Sequence, residues 1–485
     1  SDRSSVYFKN TINLIQRRSG SNNAYFRWLA TAPRAASSFK PGSNFNVVSI
    51  ADGAGTIDTQ SVLYLRETRA STWAAGWETK LWDGSGLLKV DANFSKNMTH
   101  YPKLHQLGAR LRGVSWVLDR EDGGLMPRIT QSGGPDWSNP INYIIRPDAQ
   151  LINYQAPAER SGVSVDLQRT FATRFPLSLK SGLDLRREDR DMRNPQRSYT
   201  FVGPDRAANT ADDVVGRYDL VATGYSGQRM AWDLPARRWQ STAKLWQLYQ
   251  QNPVWWTLNE TSALSTSANN SRQITETISA AYLRADARLF AQRLWLVGGV
   301  RFERTEDDAY GVLNDLRATY QQDPQGNLML VNNRPVRVPG DAVALARLQY
   351  RDRGTHAVRS YDDLYPSFNA TFNLSDNLLA RGAYARTLGR PNFQQIIPGT
   401  SVSDPSSSTR TITVNNTGLQ PWTADNYDLS LEYYFRGGGM ASVGVFRKDI
   451  ANFFGATRTP ATVALLAEYD LPDDYLGYDL ISQTN

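Results

Sequence analysis

The chain has 485 residues, no cysteine, and 54 basic against 47 acidic residues for a formal net charge of +7. The missing cysteines exclude a disulfide framework and Cys-ligated metal centres, and the scattered basic excess forms no Lys/Arg tract, so no nucleic-acid partner is expected. No stretch of about 18 apolar residues occurs, which removes transmembrane helices and leaves a soluble protein or a membrane protein built from strands.

In chain order, the first clear strand places Leu88, Val90, Ala92 and Phe94 opposite Lys89, Asp91, Asn93 and Ser95. Leu177, Leu179, Leu183 and Leu185 then oppose Ser178, Lys180, Asp184 and Arg186. Between Ile278 and Leu289, Ala281, Leu283, Ala285, Ala287 and Leu289 share one face, and Tyr282, Arg284, Asp286 and Arg288 share the other. Leu294, Leu296, Val300 and Phe302 oppose Trp295, Arg301 and Glu303. Phe368, Ala370, Phe372 and Leu374 follow, and then Tyr427, Leu429, Leu431, Tyr433 and Phe435 opposite Asn426, Asp428, Ser430, Glu432 and Tyr434. Period-two alternation is the mark of a strand with two different faces. It fits a soluble sandwich as well as a membrane wall.

The connections separate the two. Short turns fall at Asp83–Gly86, Thr173–Pro176, Phe290–Gln292, Ser375–Asn377 and Arg436–Gly439. Between them lie long segments, Arg17–Gln60, Lys96–Arg160, Asp189–Arg272, Glu306–Ser360, Gly389–Ala424 and Phe454 onward, whereas soluble domains mostly use connections of about 4–6 residues. Short turns on one side and long loops on the other characterise an outer-membrane barrel. The expected fold is therefore all-β, an antiparallel transmembrane β-barrel with long extracellular loops and short periplasmic turns. About eleven strands are expected: ups begin near Val6, Leu87, Leu177, Arg293, Asn377 and Met440, and downs near Ser61, Arg160, Gln273, Ser360 and Ala424. Trp77, Trp82, Tyr365, Tyr433, Tyr434 and Phe435 suit interfacial girdles. An odd count predicts a sheet that does not close within this sequence.

Several loop and lumen residues carry possible function. Trp232, Trp239, Trp246, Trp255 and Trp256 surround a segment, Ala236–Gln251, with near-helical apolar spacing. They offer an aromatic platform for a sugar or aromatic chelate, or pack the loop onto the barrel mouth. Phe201–Asp205 and Asn209–Asp213 present oxygen ligands; calcium and a solvated turn are the two readings, and no twelve-residue pattern closing on Glu is present. His100 and His105 have no third zinc ligand, so exposed loop histidines, and no metal, are expected. Glu306, Asp307 and Asp308 read as solvated acids opening a loop. Arg284, Asp286, Arg301, Glu303, Arg381 and Glu432, with Arg288, face the lumen and form cross-strand charge ladders or a ligand path. There is no nucleophile elbow, phosphate-binding loop or His-Glu-x-x-His helix, so neither a catalytic residue nor a cofactor is expected.

Three stretches resemble one family. These are Thr275–Tyr282 with Leu296–Thr305; Tyr365–Asn369 with Leu379–Arg386 and Gly389–Asn392; and Asn416–Pro421 with Ala424–Phe435 and Val445–Ile450. They resemble the barrel strands of TonB-dependent receptors over about residues 273 to 453. The resemblance implies a 22-stranded barrel in the outer membrane of a Gram-negative bacterium, in contact with bilayer lipid and lipopolysaccharide. It also implies an N-terminal plug and uptake of a scarce ligand, such as a ferric siderophore or oligosaccharide, energised by the TonB–ExbB–ExbD complex. On that reading residues 1–485 are an incomplete receptor barrel without its plug and closing strands. A passive porin-like channel and a soluble all-β glycan-binding or glycoside-cleaving protein are the rival readings.

Overall fold

A computed structural model describes residues 3–28, 38–121, 127–146, 149–223, 239–469 and 471–484. Eleven long strands run as an antiparallel meander: β1 Ser4–Trp28, β2 Gly55–Leu81, β3 Gly86–Asp119, β4 Gln155–Ala172, β5 Pro176–Met192, β6 Arg272–Leu289, β7 Leu294–Asp315, β8 Tyr350–Asn373, β9 Leu378–Gly389, β10 Trp422–Tyr434 and β11 Met440–Ala451. Each pairs with the next. The five short turns fall where the sequence places them.

Two adjacent register rows show why this sequence makes a wall. Val6, Trp77, Val90, Val165, Leu183, Ala281, Phe302 and Leu364 are successive cross-strand partners from β1 to β8. Shifting every strand by one residue gives Tyr7, Gly76, Asp91, Ser164, Asp184, Ala280, Glu303 and Asp363. The first row is wholly apolar and the second mostly polar or small. Successive side chains on a strand point to opposite faces, so the register itself sorts lipid-compatible from water-compatible side chains. Val6, Leu183, Leu283, Leu364 and Leu429 are all more than half exposed, an arrangement that water penalises and hydrocarbon does not.

At the loop end the outward face turns polar. Lys96 pairs with Glu159 at 2.5 Å, Arg187 with Asp189 at 2.9 Å, and Arg304 with Glu306 at 2.7 Å. These charges bound the apolar belt on that side. The strands nevertheless continue beyond it, which corrects the expected loop boundaries. β1 and β3 run into the segments expected as loops from Arg17 and Lys96, and β2, β7 and β8 are similarly extended. Glu306, Asp307 and Asp308 therefore lie within β7. A crossing needs only about 9–11 residues, whereas β3 has 34. Backbone pairing persists after the outward alternation stops being apolar, and hydropathy does not record it.

The extension is held by its own core. Ile50, Ile57, Leu107, Leu111, Val114 and Trp116 are buried against residues that include Phe201, Leu245 and Trp256. Each fully buried aliphatic side chain contributes roughly 1.5–3 kcal/mol. Helix α1, Thr242–Gln251, lies in this layer, and the Ser241 side chain caps it by accepting the Lys244 amide. It starts later than the helical spacing from Ala236 suggests; residues 224–238 are outside the described residues.

Helices α2 Glu260–Asn269 and α3 Ala342–Gln349 cover the loop ends of β7 and β8, with which both are in contact. A short helical turn, α4, Phe393–Ile396, follows β9 and packs against Ile274, Ala309 and Leu419. A smaller cluster gathers Val402, Ile412, Leu466 of α5 (Val463–Glu468), Tyr475 and Tyr478. Among the described residues, β1 pairs with β2 alone and β11 with β10 alone, so the sheet has two free edges and does not close.

Candidate functional site

The lumenal face holds charge in short chains that cross from strand to strand. On β6, Arg284 meets Asp286 at 2.8 Å, and Trp295 on β7 donates its indole N–H to Asp286 at 3.0 Å. Arg301 bridges Asp184 of β5 at 3.1 Å and Glu303 at 2.8 Å. Arg390, just past β9, returns into the lumen and reaches both Glu303 and the Thr305 hydroxyl. Arg381 pairs with Glu432 at 3.0 Å, and Tyr434 donates to the same carboxylate at 2.9 Å. The six lumenal candidates thus form three groups, Arg284 with Asp286, Arg301 with Glu303, and Arg381 with Glu432.

Sequence reasoning missed the residues that connect them. Asp184 was visible only as one of several polar alternates, and Arg390 only within a motif. Arg190, Glu276 and Arg390 line a recess of 580 Å³ whose wall includes α4. Glu276 and Asp307 are register partners on β6 and β7. Asp307 is buried and its Oδ1 receives no hydrogen bond from any described residue, which corrects its expected place in a solvated loop. Its neighbours Glu306 and Asp308 point the other way, as the period of two requires.

A second recess, of 490 Å³, opens at the loop end and is lined by Arg317, Arg351, His356, Arg359, Asn416 and Tyr475 among others. Its wall is rigidly tied. Arg317 is buried, pairs with Asp474 at 3.0 Å and lies over the Tyr475 ring. Tyr475 donates to Asp315 at 2.9 Å. Burial, and then the Asp315 carboxylate beside it, raise the Tyr475 hydroxyl well above the usual phenol pKa, so it remains a neutral donor. The recess is polar and carries both signs of charge, Arg317, Arg351 and Arg359 beside Asp315, Glu468 and Asp474, which suits a polar, hydrogen-bonding solute.

The loop tryptophans are placed by packing. Trp239 and Trp256 are buried. Trp246 stacks on His105 at 4.6 Å and on Tyr249 at 5.4 Å between ring centroids, and Trp255 meets Tyr218 at 5.7 Å. Trp232 lies outside the described residues. His105 is therefore a buried strand residue rather than an exposed loop histidine, and His356 stacks on Tyr310 and pairs with Asp308 at 2.9 Å. His100, on β3, lies 3.7 Å from Glu67. Aromatic flanks that bury an imidazole ring leave no sign in the spacing of the histidines.

The family described as TonB dependent receptor-like, beta-barrel matches residues 105–470 of the chain. The chain belongs to the TonB-dependent receptor family. Receptors of this family are outer-membrane β-barrels rather than enzymes, which accords with the two-faced wall. The chain is also similar to the alcaligin outer-membrane receptor FauA of Bordetella pertussis, at 11% identity and a TM-score of 0.35, over 91% of this chain and 52% of that one. A mutant ferric enterobactin receptor PfeA of Pseudomonas aeruginosa, in complex with enterobactin, gives 11% identity and a TM-score of 0.35 over 96% of this chain and 58% of that one. A double mutant of the Serratia marcescens hemophore receptor HasR, bound to its hemophore HasA and heme, gives 11% and 0.35 over 93% and 60%. The chain thus spans a little over half the length of these receptors. No curated protein sequence shows a significant match.

Proposed function

We propose that this chain forms about half of the wall of an outer-membrane receptor that imports a small ligand, with TonB–ExbB–ExbD supplying the energy. The observation that carries the reading is the family match over residues 105–470, on a wall whose lumenal row is charged while its outward row is apolar. In the complete receptor a plug would fill the lumen and contact groups such as Glu303 and Arg390. Ligand would enter through the loop-end recess beside Arg317, Arg351 and Arg359. A polar solute with carboxylate, catecholate or hydroxyl groups suits those donors, as a ferric chelate or an oligosaccharide would. The loop tryptophans, Trp255 above all, would stiffen the mouth against which the ligand docks.

The test is solute uptake in the host under iron limitation and on single sugars, comparing wild type with deletions of this gene and of tonB. Both deletions should abolish accumulation of the same solute. Uptake that is lost with this gene but persists without TonB would instead make the protein a passive channel.

A further inference from the structure

We propose that the loop after Phe201 binds a calcium-like divalent cation near Gly203, through Asp212, Asp213 and Tyr218. The sequence alone favours a solvated turn here, and the structure adds convergence and orphaned oxygens. Gly203 has a φ of +59°, in the left-handed region. An atom placed where its side chain would begin lies 3.1 Å from Asp213 Oδ1, 3.3 Å from Asp212 Oδ2 and 3.5 Å from the Tyr218 hydroxyl. Oxygens of the adjacent Asp212 and Asp213 and of Tyr218 therefore border one point beside Gly203, nine or more residues earlier in the loop.

Two of them lack donors. Asp213 is 1% exposed; its Oδ2 accepts the Thr210 amide at 3.0 Å, but Oδ1 is buried and has no hydrogen-bond partner among the described residues. The Tyr218 hydroxyl is likewise buried and unpartnered among them. A buried carboxylate oxygen without a donor is costly and calls for a proton or a cation. Further negative charge gathers here: Asp205, whose Oδ1 accepts the Ala207 amide, acts on both Asp212 and Asp213. Arg217 is the one cation whose field reaches Asp212 and Tyr218 among the interactions that perturb these groups.

The donor set selects the ion. Among the described residues no three acidic or imidazole side chains form a compact metal centre, so backbone carbonyls and water must complete the shell. Calcium accepts six to eight oxygens in such a flexible arrangement at about 2.3–2.6 Å, whereas zinc prefers four nitrogen or sulfur-rich ligands. A bound ion would also fix the receptor's outer loops. Asp213 accepts the Ile145 amide at 2.8 Å through its backbone carbonyl, and Val215 donates to Tyr143 at 2.9 Å, so the site sits where the loop is stitched to its core. The inference stands apart from the transport reading and survives if the solute or the energy source proves different.

Terbium luminescence on the full chain in detergent tests it, because the Tyr218 and Trp255 rings, 5.7 Å apart, can sensitise a bound lanthanide. Tb³⁺ emission should appear, be displaced by Ca²⁺, and require roughly tenfold more Tb³⁺ in an Asp212→Asn/Asp213→Asn variant. Asp323→Asn, in another loop turn, should change nothing. Calcium should also protect residues 203–222 of the unaltered chain from protease relative to a chelator, a comparison that holds even if the double variant misfolds. Emission that calcium cannot displace, or identical cleavage with calcium and with chelator, would overturn the proposal.

Discussion

Tyr282 on β6 donates its hydroxyl to Asp166 on β4, crossing the whole of β5 at Gly182. The intervening glycine makes the contact possible: a Cβ there would lie 2.5 Å from the Tyr282 ring and 2.6 Å from Asp166 Oδ1. The same arrangement recurs with opposite chain direction, where Tyr7 on β1 crosses Gly76 on β2 to reach Asp91 on β3. Each tyrosine clamps three strands on the lumenal side.

Gly182→Val should therefore eject the ring and lose the hydrogen bond together, whereas Tyr282→Phe should lose the hydrogen bond alone. A hydrogen bond to a charged group is worth about 1.5–3 kcal/mol. Urea unfolding in detergent should rank the valine variant as the less stable, and the two changes should not add in combination. Equal stability of Gly182→Val and the unaltered chain would remove the clamp from the account.

Neighbouring residues on β6 should respond in opposite ways to a change of polarity. Leu283 and Arg284 are 54% and roughly half exposed, so exposure does not separate them. Their solvents do. Leu283→Arg should cost roughly 2–4 kcal/mol, as an arginine on the lipid face near the middle of the bilayer. Arg284→Leu should cost less, since it gives up only a half-exposed pair with Asp286. Folding titrations into lipid vesicles measure both.

Arg390→Ala should be among the most damaging lumenal changes. It leaves Glu303, whose side chain is 6% exposed, with Arg301 as its remaining cation. Removing one partner of a buried pair typically costs about 3–5 kcal/mol. Adding Glu303→Gln should recover part of the loss, and a melting temperature in detergent reads this directly.

Gly311→Ala should dislodge the segment that follows β9. Its φ is ordinary, yet a Cβ would lie 1.5 Å from the Pro398 carbonyl oxygen, a backbone atom that cannot turn aside. The overpacking should cost roughly 1–3 kcal/mol and release α4 from Ile274 and Ala309. Limited proteolysis should then cut near residues 393–399, where the unaltered chain resists.

The wall was legible because two local rules agree along it. Alternation set the faces of β3, β5, β6, β7 and β10, and turn residues fixed where they reverse, so all eleven strands lie where the pattern puts them. Strand length was not legible, since β1 to β3 continue beyond the belt with polar outward faces that look like loop. The lumenal pairs were half visible: Arg301 and Glu303 stand on one face of one strand, but Asp184 and Arg390 arrive from 117 and 87 residues away. The loop core was less legible still, because Trp246 on His105 joins α1 to β3 through tertiary packing that no short-range period records.

The chain has no cysteine, so single cysteines can be placed along β6 without background. Substitutions at 281 through 288, in protein reconstituted into vesicles, can be probed with a water-soluble maleimide and with a lipid-soluble one. A wall with one face in lipid should show strict alternation, with Tyr282→Cys, Arg284→Cys and Asp286→Cys modified from water, and Ala281→Cys, Leu283→Cys and Ala285→Cys modified from the lipid phase alone. Uniform labelling by the water-soluble reagent along the whole strand would contradict a wall with one face in lipid and one in water.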